Sequence, residues 1–158
     1  EQGWLGNCYF MSACTALAEV PGRIERIFLN NVNELSPNGI YAVNFYTLGV
    51  PHTVVIDDWL PVEQTEYGYR TLFAHIGDDA SLWGPLIEKA FAKHHGNYQH
   101  IIGGNSATAI STLSGAPSQI QKHPAKPSAA DITALWDKIV SQNADNQLIQ
   151  AASPQKPG

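Results

Sequence analysis

Cys8 follows Gln2 by six residues, and two glycines, Gly3 and Gly6, lie between them. A thiol becomes a strong nucleophile when its surroundings favour the thiolate form. An amide side chain can donate a hydrogen bond to the oxyanion that forms when a thiolate attacks a carbonyl group. Glycines allow the backbone to bring two such groups together in a tight turn. The segment therefore has the residue types for acyl transfer through Cys8, with Gln2 as oxyanion donor.

The residues that follow predict a helix beginning at Cys8 and running to Glu19, because apolar residues recur at helical spacing in an alanine-rich stretch. The N-terminus of a helix presents unpaired N–H groups and the positive end of the macrodipole, and both stabilise a thiolate. The alternative is that Cys8 is a small buried hydrophobic residue at the start of a core helix. The glycines and the amide around Cys8 favour the nucleophile.

The remaining pattern indicates an α+β domain that is mainly helical. The predicted elements are a second helix over 21–28, a small antiparallel hairpin formed by strands 40–48 and 52–56, an amphipathic helix that stops at Gly96, and a short helix capped by Asn105 or Ser106 that ends at Gly115. The hairpin should pack at one side of the helix that begins at Cys8.

The composition changes after Ala116, where prolines interrupt a stretch without apolar periodicity. We therefore expect a core at residues 1–117, and a linker with a closing helix (Ala129 to Gln142) at 118–146. The last stretch, 147–158, starts like a strand. Because the first residue is not Met and a motif is already under way there, we also expect the chain to be a piece of a longer protein.

Charge and cysteine content exclude several classes of function. The net charge is −5 and the nine Lys and Arg residues are scattered, so a nucleic-acid partner is not expected. No apolar run is long enough for a transmembrane segment. Cys8 and Cys14 would point to different sides of one helix and should not pair, which favours a reducing, intracellular (cytoplasmic) location.

Four segments, in the same order, resemble the calpain family of cysteine proteases. They are QGWLGNCYF at 2–10, VVIDDWLPV at 54–62, LWGPLIEKAFAKHHGNY at 82–98 and IIGGNSATAISTLSGAP at 101–117. Two positions depart from the usual family pattern: Tyr9 replaces a tryptophan, and Trp4 replaces a small residue beside the oxyanion hole, where it could close or reshape the cleft.

The resemblance implies a papain-like fold, of which this chain would form the N-terminal subdomain with the helix from Cys8 at its centre. It also implies that Cys8 is the nucleophile of an intracellular endopeptidase acting on protein or peptide substrates, with cytoskeletal association as a further expectation. Gln2 and the Cys8 backbone N–H would form the oxyanion hole. Gly103 and Gly104 would line the cleft and pair with an extended substrate.

The same resemblance implies a partner, a downstream second subdomain that carries the catalytic histidine and asparagine and into which residues 147–158 would begin to cross. Neither of the corresponding segments occurs in this chain, so we expect the fragment alone to be inactive. The internal histidines, His52, His75, His94 and His95 among them, are not expected to replace that base, and their spacing does not predict a zinc site.

Calcium is a cofactor that the resemblance implies for conventional family members. One expected acidic ligand is replaced by Ser81, and the neighbouring Asp78 and Asp79 are the candidates for its role, with surface charge as the alternative. We interpret Asp57 and Asp58 as strand-end residues that bond to neighbouring backbone.

Two other functions stay open from the sequence. A calpain-like module can serve as a non-catalytic scaffolding or interaction domain of a larger assembly, which a net charge of −5 would suit. Another papain-like thiol enzyme, such as an acyl transferase, is the third alternative. The retained Gln2 and Cys8 favour the protease.

Overall fold

The computed structural model describes residues 2–31 and 34–152. Within them the chain forms four α-helices and two antiparallel β-hairpins, so the α+β class is confirmed. Two compact units are present, Glu1–Ser118 and Gln119–Gly158. Every residue proposed to do chemistry from the sequence lies in the first unit.

Helix α1 (Cys8–Ala18) begins at the residue that the sequence predicted. Its buried side chains are spaced three or four residues apart and line one face of the helix: Phe10, Ala13, Cys14 and Leu17. Burying this apolar face drives the helix onto the core. Cys8 lies on the opposite side of the helix and is exposed, whereas Cys14 is completely buried.

The predicted hairpin consists of β1 (Ile40–Thr47) and β2 (Val50–Asp57), with Ile40 opposite Asp57 and Thr47 opposite Val50. Alternate residues of β1 and of the second half of β2 face the core, as the period of two requires, whereas residues 50–53 are exposed. Leu48 and Gly49 form the two-residue turn, and both have positive φ angles, 51° and 80°. This is the conformation for which Asn-Gly is the preferred sequence.

A second hairpin, formed by β3 (Val62–Thr65) and β4 (Gly68–Thr71), was missed from the sequence. Its strands have four residues each and carry polar side chains, so they show no apolar alternation. Glu63 and Arg70 lie opposite each other and form an ion pair. Cross-strand pairing of this kind becomes visible only when the register is known.

The predicted second helix over 21–28 is wrong. This segment forms turns and one short 3-10 helix, Glu25–Ile27. Ile24, Ile27 and Phe28 are buried, and Phe28 forms a β-bridge with Val43 of β1. Burial of these side chains and pairing with the hairpin outweigh the local helical pattern.

Two further helices of the first unit occupy the positions that the sequence predicted. They are α2 (Trp83–His94) and α3 (Ser106–Ser114). The side chain of Asn105 accepts a hydrogen bond from Ala107 N at 2.8 Å, and Gly115 ends α3 in the left-handed conformation. A 3-10 helix, Tyr98–Ile101, lies between them.

Aromatic packing joins these elements around one core. The rings of Phe10 and Phe91 stack with centroids 3.8 Å apart, and Phe45 packs edge-on against Phe91 at 5.8 Å. These three residues come from α1, α2 and β1, so the contact fixes the relative positions of the helices and the first hairpin.

The second unit contains α4 (Ala129–Ala144), which starts at the predicted residue and ends two residues later than predicted. Ser128 and Asp131 form a reciprocal capping box at its start. Residues 147–152 form no strand, in contrast to the prediction, and 153–158 lie outside the described residues. No helix within the described ranges has the length and apolar character needed to cross a bilayer.

Replacing Leu48 by Asn should stabilise the protein. Leu48 is fully exposed and holds a left-handed conformation that costs a branched side chain about 1 kcal/mol more than Asn. We expect urea unfolding to show a free energy of unfolding higher by about 1 kcal/mol. Leu35→Asn is the control, because Leu35 is also exposed but has a negative φ. An equal gain in both variants would show that removing an exposed leucine, and not backbone strain, is responsible.

Candidate active site

Cys8 lies in the first turn of α1 with its side chain exposed to solvent. The preceding residue, Asn7, does not cap the helix with its side chain. The first N–H groups of an α-helix have no partner within the helix. Phe10 N and Met11 N donate to Asn7 O at 2.9 and 3.1 Å, so the N–H groups of Cys8 and Tyr9 are the candidates for binding an oxyanion formed beside Cys8.

The Asn7 side chain points inward and bonds to Glu88 in the middle of α2. Its Nδ2 donates to Glu88 Oε1 at 2.7 Å, and the backbone N–H of Ala74 donates to Oε2 at 2.8 Å. Asn7 is fully buried and Glu88 is only 1% exposed. Burial raises the pKa of Glu88, and the two hydrogen bonds partly offset that effect. This network positions the residue next to Cys8 through a helix that is distant in sequence.

The turn between Gln2 and Cys8 depends on its glycines, as the sequence suggested. A Cβ at position 3 would lie 2.0 Å from the carbonyl oxygen of Phe73, so only glycine fits there. Gly6 has a φ of 70°. Its carbonyl oxygen accepts a hydrogen bond from Gly103 N at 3.1 Å. The turn is thus held against two separate loops of the first unit.

The Gly103–Gly104 loop is exposed and lies against the start of α1. A Cβ on Gly104 would come within 2.3 Å of the Tyr9 ring, so the ring packs directly on the glycine backbone. Together with the bond from Gly103 to Gly6, this contact places the loop beside the residues that flank Cys8.

Cys8 and Gln2 line one cavity of about 340 Å³. The other lining residues come from the exposed side of α1 and from residues 75–84: Met11, Ser12, Thr15, His75, Gly77, Ser81, Trp83 and Gly84. Gly103 and Gly104 do not line this cavity, and neither does Trp4, whose side chain is 79% exposed. The structure therefore brings Gln2 and Cys8 together, with the glycine loop outside the cavity.

His75 is a cavity residue to which the sequence analysis gave no role. Its Nδ1 lies 3.4 Å from Thr71 Oγ1, at the end of β4. Two signals could have drawn attention to it: a loop position shortly before α2, and a histidine in a chain with few charged residues. Neither signal shows which way a side chain points, so only the fold places His75 in the same cavity as Cys8.

The loop that carries Asp78 and Asp79 forms one wall of the cavity. Asp79 Oδ1 accepts a hydrogen bond from Ser81 N at 3.0 Å, and the hydrogen bonds from Ser81 lower the pKa of Asp79. Ala80 N donates to Gly77 O at 2.8 Å, which closes the turn. Asp79 thus already has a structural partner.

Asp57 and Asp58 have the strand-end role that the sequence predicted. Asp57 Oδ1 accepts a hydrogen bond from Trp59 N at 2.9 Å and pairs with Lys89 of α2. The backbone N–H of Asp58 donates to Gly39 O at 2.9 Å. Both residues therefore fasten the end of β2, and neither lines the cavity around Cys8.

The family model described as "Calpain family cysteine protease" matches residues 1–157. The chain belongs to the calpain family. It is 32% identical to the calpain-type cysteine protease DEK1 of Zea mays and 34% identical to DEK1 of Arabidopsis thaliana, in each case over 97% of this chain and 7% of the relative. Mouse calpain-5 is 28% identical over 96% of this chain and 25% of the relative. The chain therefore spans a quarter or less of the length of these relatives.

Membership of the calpain family confirms the resemblance seen in the sequence and raises the question of calcium. Asp79 is bonded to Ser81, and Ser81 itself has no carboxylate. In the described ranges no three or more His, Cys, Asp or Glu side chains are grouped as a metal ion would require. The Asp78–Asp79 loop therefore offers two carboxylates, one of them already bonded to Ser81, whereas calcium takes six to eight oxygen ligands, which include backbone carbonyl groups and water.

Replacing Glu88 by Ala should destabilise the domain by about 3 kcal/mol, because the buried Asn7 amide and Ala74 N–H would both lose their acceptor. Glu88→Gln keeps the volume and should cost less. Urea unfolding at pH 7 measures both. Equal stability of the Ala variant and the wild type would show that the buried network does not hold the site.

Comparing the wild type with Glu88→Gln tests how the free energy of unfolding depends on pH. Because burial raises the pKa of Glu88 in the folded state, the folded protein holds this proton more tightly than the unfolded chain. The resulting stabilisation is complete below the unfolded pKa and is lost as pH rises through the folded pKa. From about pH 4 to pH 8, the free energy of unfolding of the wild type should fall relative to that of Glu88→Gln. Parallel pH profiles would contradict this expectation.

Gly104→Ala should destabilise the chain by about 1–3 kcal/mol, because the new Cβ would overlap the Tyr9 ring. Gly104 does not have a positive φ, so the cost should be steric. A double-mutant cycle with Tyr9→Ala measures the coupling. Most of the loss should disappear when the ring is removed, and an additive cycle would refute the contact.

Proposed function

We propose that this chain supplies the nucleophile half of a calpain-type cysteine endopeptidase that hydrolyses peptide bonds in protein substrates. The observation that carries the proposal is the placement of Cys8, exposed in the first turn of α1 and sharing one cavity with Gln2. Membership of the calpain family supports the choice of reaction. Cys14 is not a competing nucleophile, since it is buried and burial raises its pKa.

In the proposed reaction the Cys8 thiolate attacks the scissile carbonyl carbon, and a bond forms between Sγ and that carbon. The oxyanion accepts hydrogen bonds from the Gln2 amide and the Cys8 backbone N–H. Collapse of the tetrahedral intermediate expels the amine, which takes a proton from the general base, and leaves a thioester on Cys8. Water then attacks the thioester, releasing the acid and the free thiol.

The general base is proposed to be a histidine of a second subdomain, oriented by an asparagine there. In this arrangement residues 1–117 form the first subdomain of a papain-like fold, 118–146 form a linker and closing helix, and 147–158 begin the crossing to the second. Gly103 and Gly104, whose loop lies beside Tyr9, would pair with an extended substrate backbone. An intracellular location is part of the proposal, because two unpaired cysteines suit a reducing compartment.

Reaction of the full-length protein with an epoxide-type thiol-protease inhibitor tests the proposed nucleophile. We expect one label on Cys8, found by peptide mass analysis, and no label in Cys8→Ala. Cys14→Ala is the matched control and should keep the label, because Cys14 is shielded by the core. The 158-residue chain alone should react much more slowly, since it lacks the proposed base. Running each reaction with and without calcium shows whether the ion is needed.

Gln2→Ala in the full-length protein should lower kcat for peptide hydrolysis by about 100-fold or more with a smaller change in KM, as expected for loss of an oxyanion donor. Failure of the probe to label Cys8 under any condition would overturn the enzyme proposal. That result would favour the non-catalytic scaffolding function, in which the cleft is retained without being used.

A further inference from the structure

A cluster of four histidines lies at the C-terminal end of α2, away from the cavity around Cys8. His94 and His95 belong to the helix end, His52 comes from β2, and His100 from the following 3-10 helix. The ring centroids of His52 and His94 are 5.5 Å apart, and those of His94 and His95 are 5.0 Å apart. None of the four lines the cavity that Cys8 shares with Gln2.

The separation between His52 and His94 is set by bonds that fasten α2 along β2. Lys93 Nζ donates to Val55 O at 2.7 Å. One turn earlier, Lys89 Nζ donates to Trp59 O at 2.6 Å and pairs with Asp57. Beneath the cluster, the ring of the buried Phe45 lies 5.4 Å from the His94 ring. The two histidines are therefore presented by rigid elements, which is the condition for a preorganised site.

The ring nitrogens of the four histidines differ in what they contact. His95 Nδ1 lies 3.0 Å from Phe91 O, and His100 Nδ1 lies 2.7 Å from His95 O, so both rings are held by backbone carbonyl oxygens. Among the described residues, the hydrogen bonds found at histidine ring nitrogens belong to His75, His95 and His100, and none involves His52 or His94. The centres of these two rings are 5.5 Å apart and their planes are inclined at 47°.

The spacing of the two rings suits a shared metal ion. An imidazole nitrogen binds zinc at about 2.0–2.1 Å, which puts the ring centre about 3.2 Å from the metal. Two such rings at a tetrahedral angle have centres about 5.2 Å apart. The observed separation of 5.5 Å is within a few tenths of an ångström of that value. A shared ion also requires one nitrogen of each ring to turn toward the point between the two rings.

We propose that His52 and His94 form a two-imidazole binding site for a divalent transition-metal ion such as Zn²⁺ or Ni²⁺, with water completing the coordination. Neutral imidazole is a preferred ligand of these ions. The site has two protein ligands because His95 and His100 already contact backbone carbonyl oxygens. Among the described residues, no group of three or more His, Cys, Asp or Glu could hold a metal ion. The carbonyl groups at the end of α2 add the negative end of the helix dipole, which favours a cation nearby.

Metal binding at this site would link β2 to the end of α2. Because the unfolded chain does not hold the two rings together, the ion should stabilise the folded state and raise the unfolding midpoint in proportion to its occupancy. Protons compete with a metal ion for imidazole nitrogens, so binding should weaken in acid. The absence of an i, i+4 pair in the sequence explains why the spacing alone predicted no such site.

The proposal is tested by calorimetric titration of the 158-residue chain with ZnCl₂ and with NiCl₂ at about pH 7.5. Every protein in the series carries Cys8→Ser, so that the thiol in the cavity cannot bind the ion. We expect one ion per chain, and His52→Asn and His94→Asn should each weaken binding at least about tenfold. His123→Asn is the matched control, since His123 lies in the other unit, and it should bind as the parent does.

Thermal unfolding with and without the ion provides a second readout. The parent and His123→Asn should show a higher midpoint with Zn²⁺, whereas His52→Asn and His94→Asn should not. If His94→Asn proves unstable without metal, the exposed His52 still carries the test. Unchanged affinity in His52→Asn, or no binding at millimolar metal, would overturn the proposal. Loss of binding in His95→Asn with full retention in His52→Asn would do the same, because it would place the ion elsewhere in the cluster.

Discussion

A buried carboxylate that must be hydrogen-bonded is the constraint on which the site depends. Glu88 is almost fully enclosed, and taking its side chain out of water is costly unless both oxygens find donors. Asn7 and the backbone of Ala74 supply them, at 2.7 and 2.8 Å. Because Asn7 directly precedes Cys8, satisfying this carboxylate also determines where the helix that carries Cys8 begins relative to α2. The geometry around Cys8 and the folding stability are therefore coupled through one polar contact in the core.

Around that contact, glycines let the backbone lie against a neighbouring group where a Cβ would not fit. Gly3 lies against the carbonyl oxygen of Phe73, and Gly104 lies under the Tyr9 ring. Between them, Gly103 donates to Gly6. Each contact brings a loop to the start of α1, so the groups proposed to bind the oxyanion and the substrate backbone are held by the shape of the chain. Such preorganisation is what electrostatic stabilisation of an oxyanion requires.

Helix α2 organises both sides of the first unit. On one side it presents Glu88 to Asn7, and on another its lysines bond to the end of β2 and its last residue meets His52. The apolar residues between them, Phe91 above all, pack on α1 and β1. Binding of a metal ion at His52 and His94 would thus act on the same helix, α2, that holds Asn7. The two regions are connected because a single helix, α2, has partners on several of its faces.

The sequence by itself determined the features that depend on neighbouring residues: the start of α1 at Cys8, the capped α3 ending at Gly115, the first hairpin, and the calpain family. Only the tertiary structure decided that 21–28 is not a regular helix, that a polar second hairpin forms, and that His75 faces Cys8's cavity. It also joined Asn7 to Glu88 and His52 to His94. Periodicity and capping act within a few residues, whereas these contacts join positions far apart in the chain, and burial of the shared core selects them.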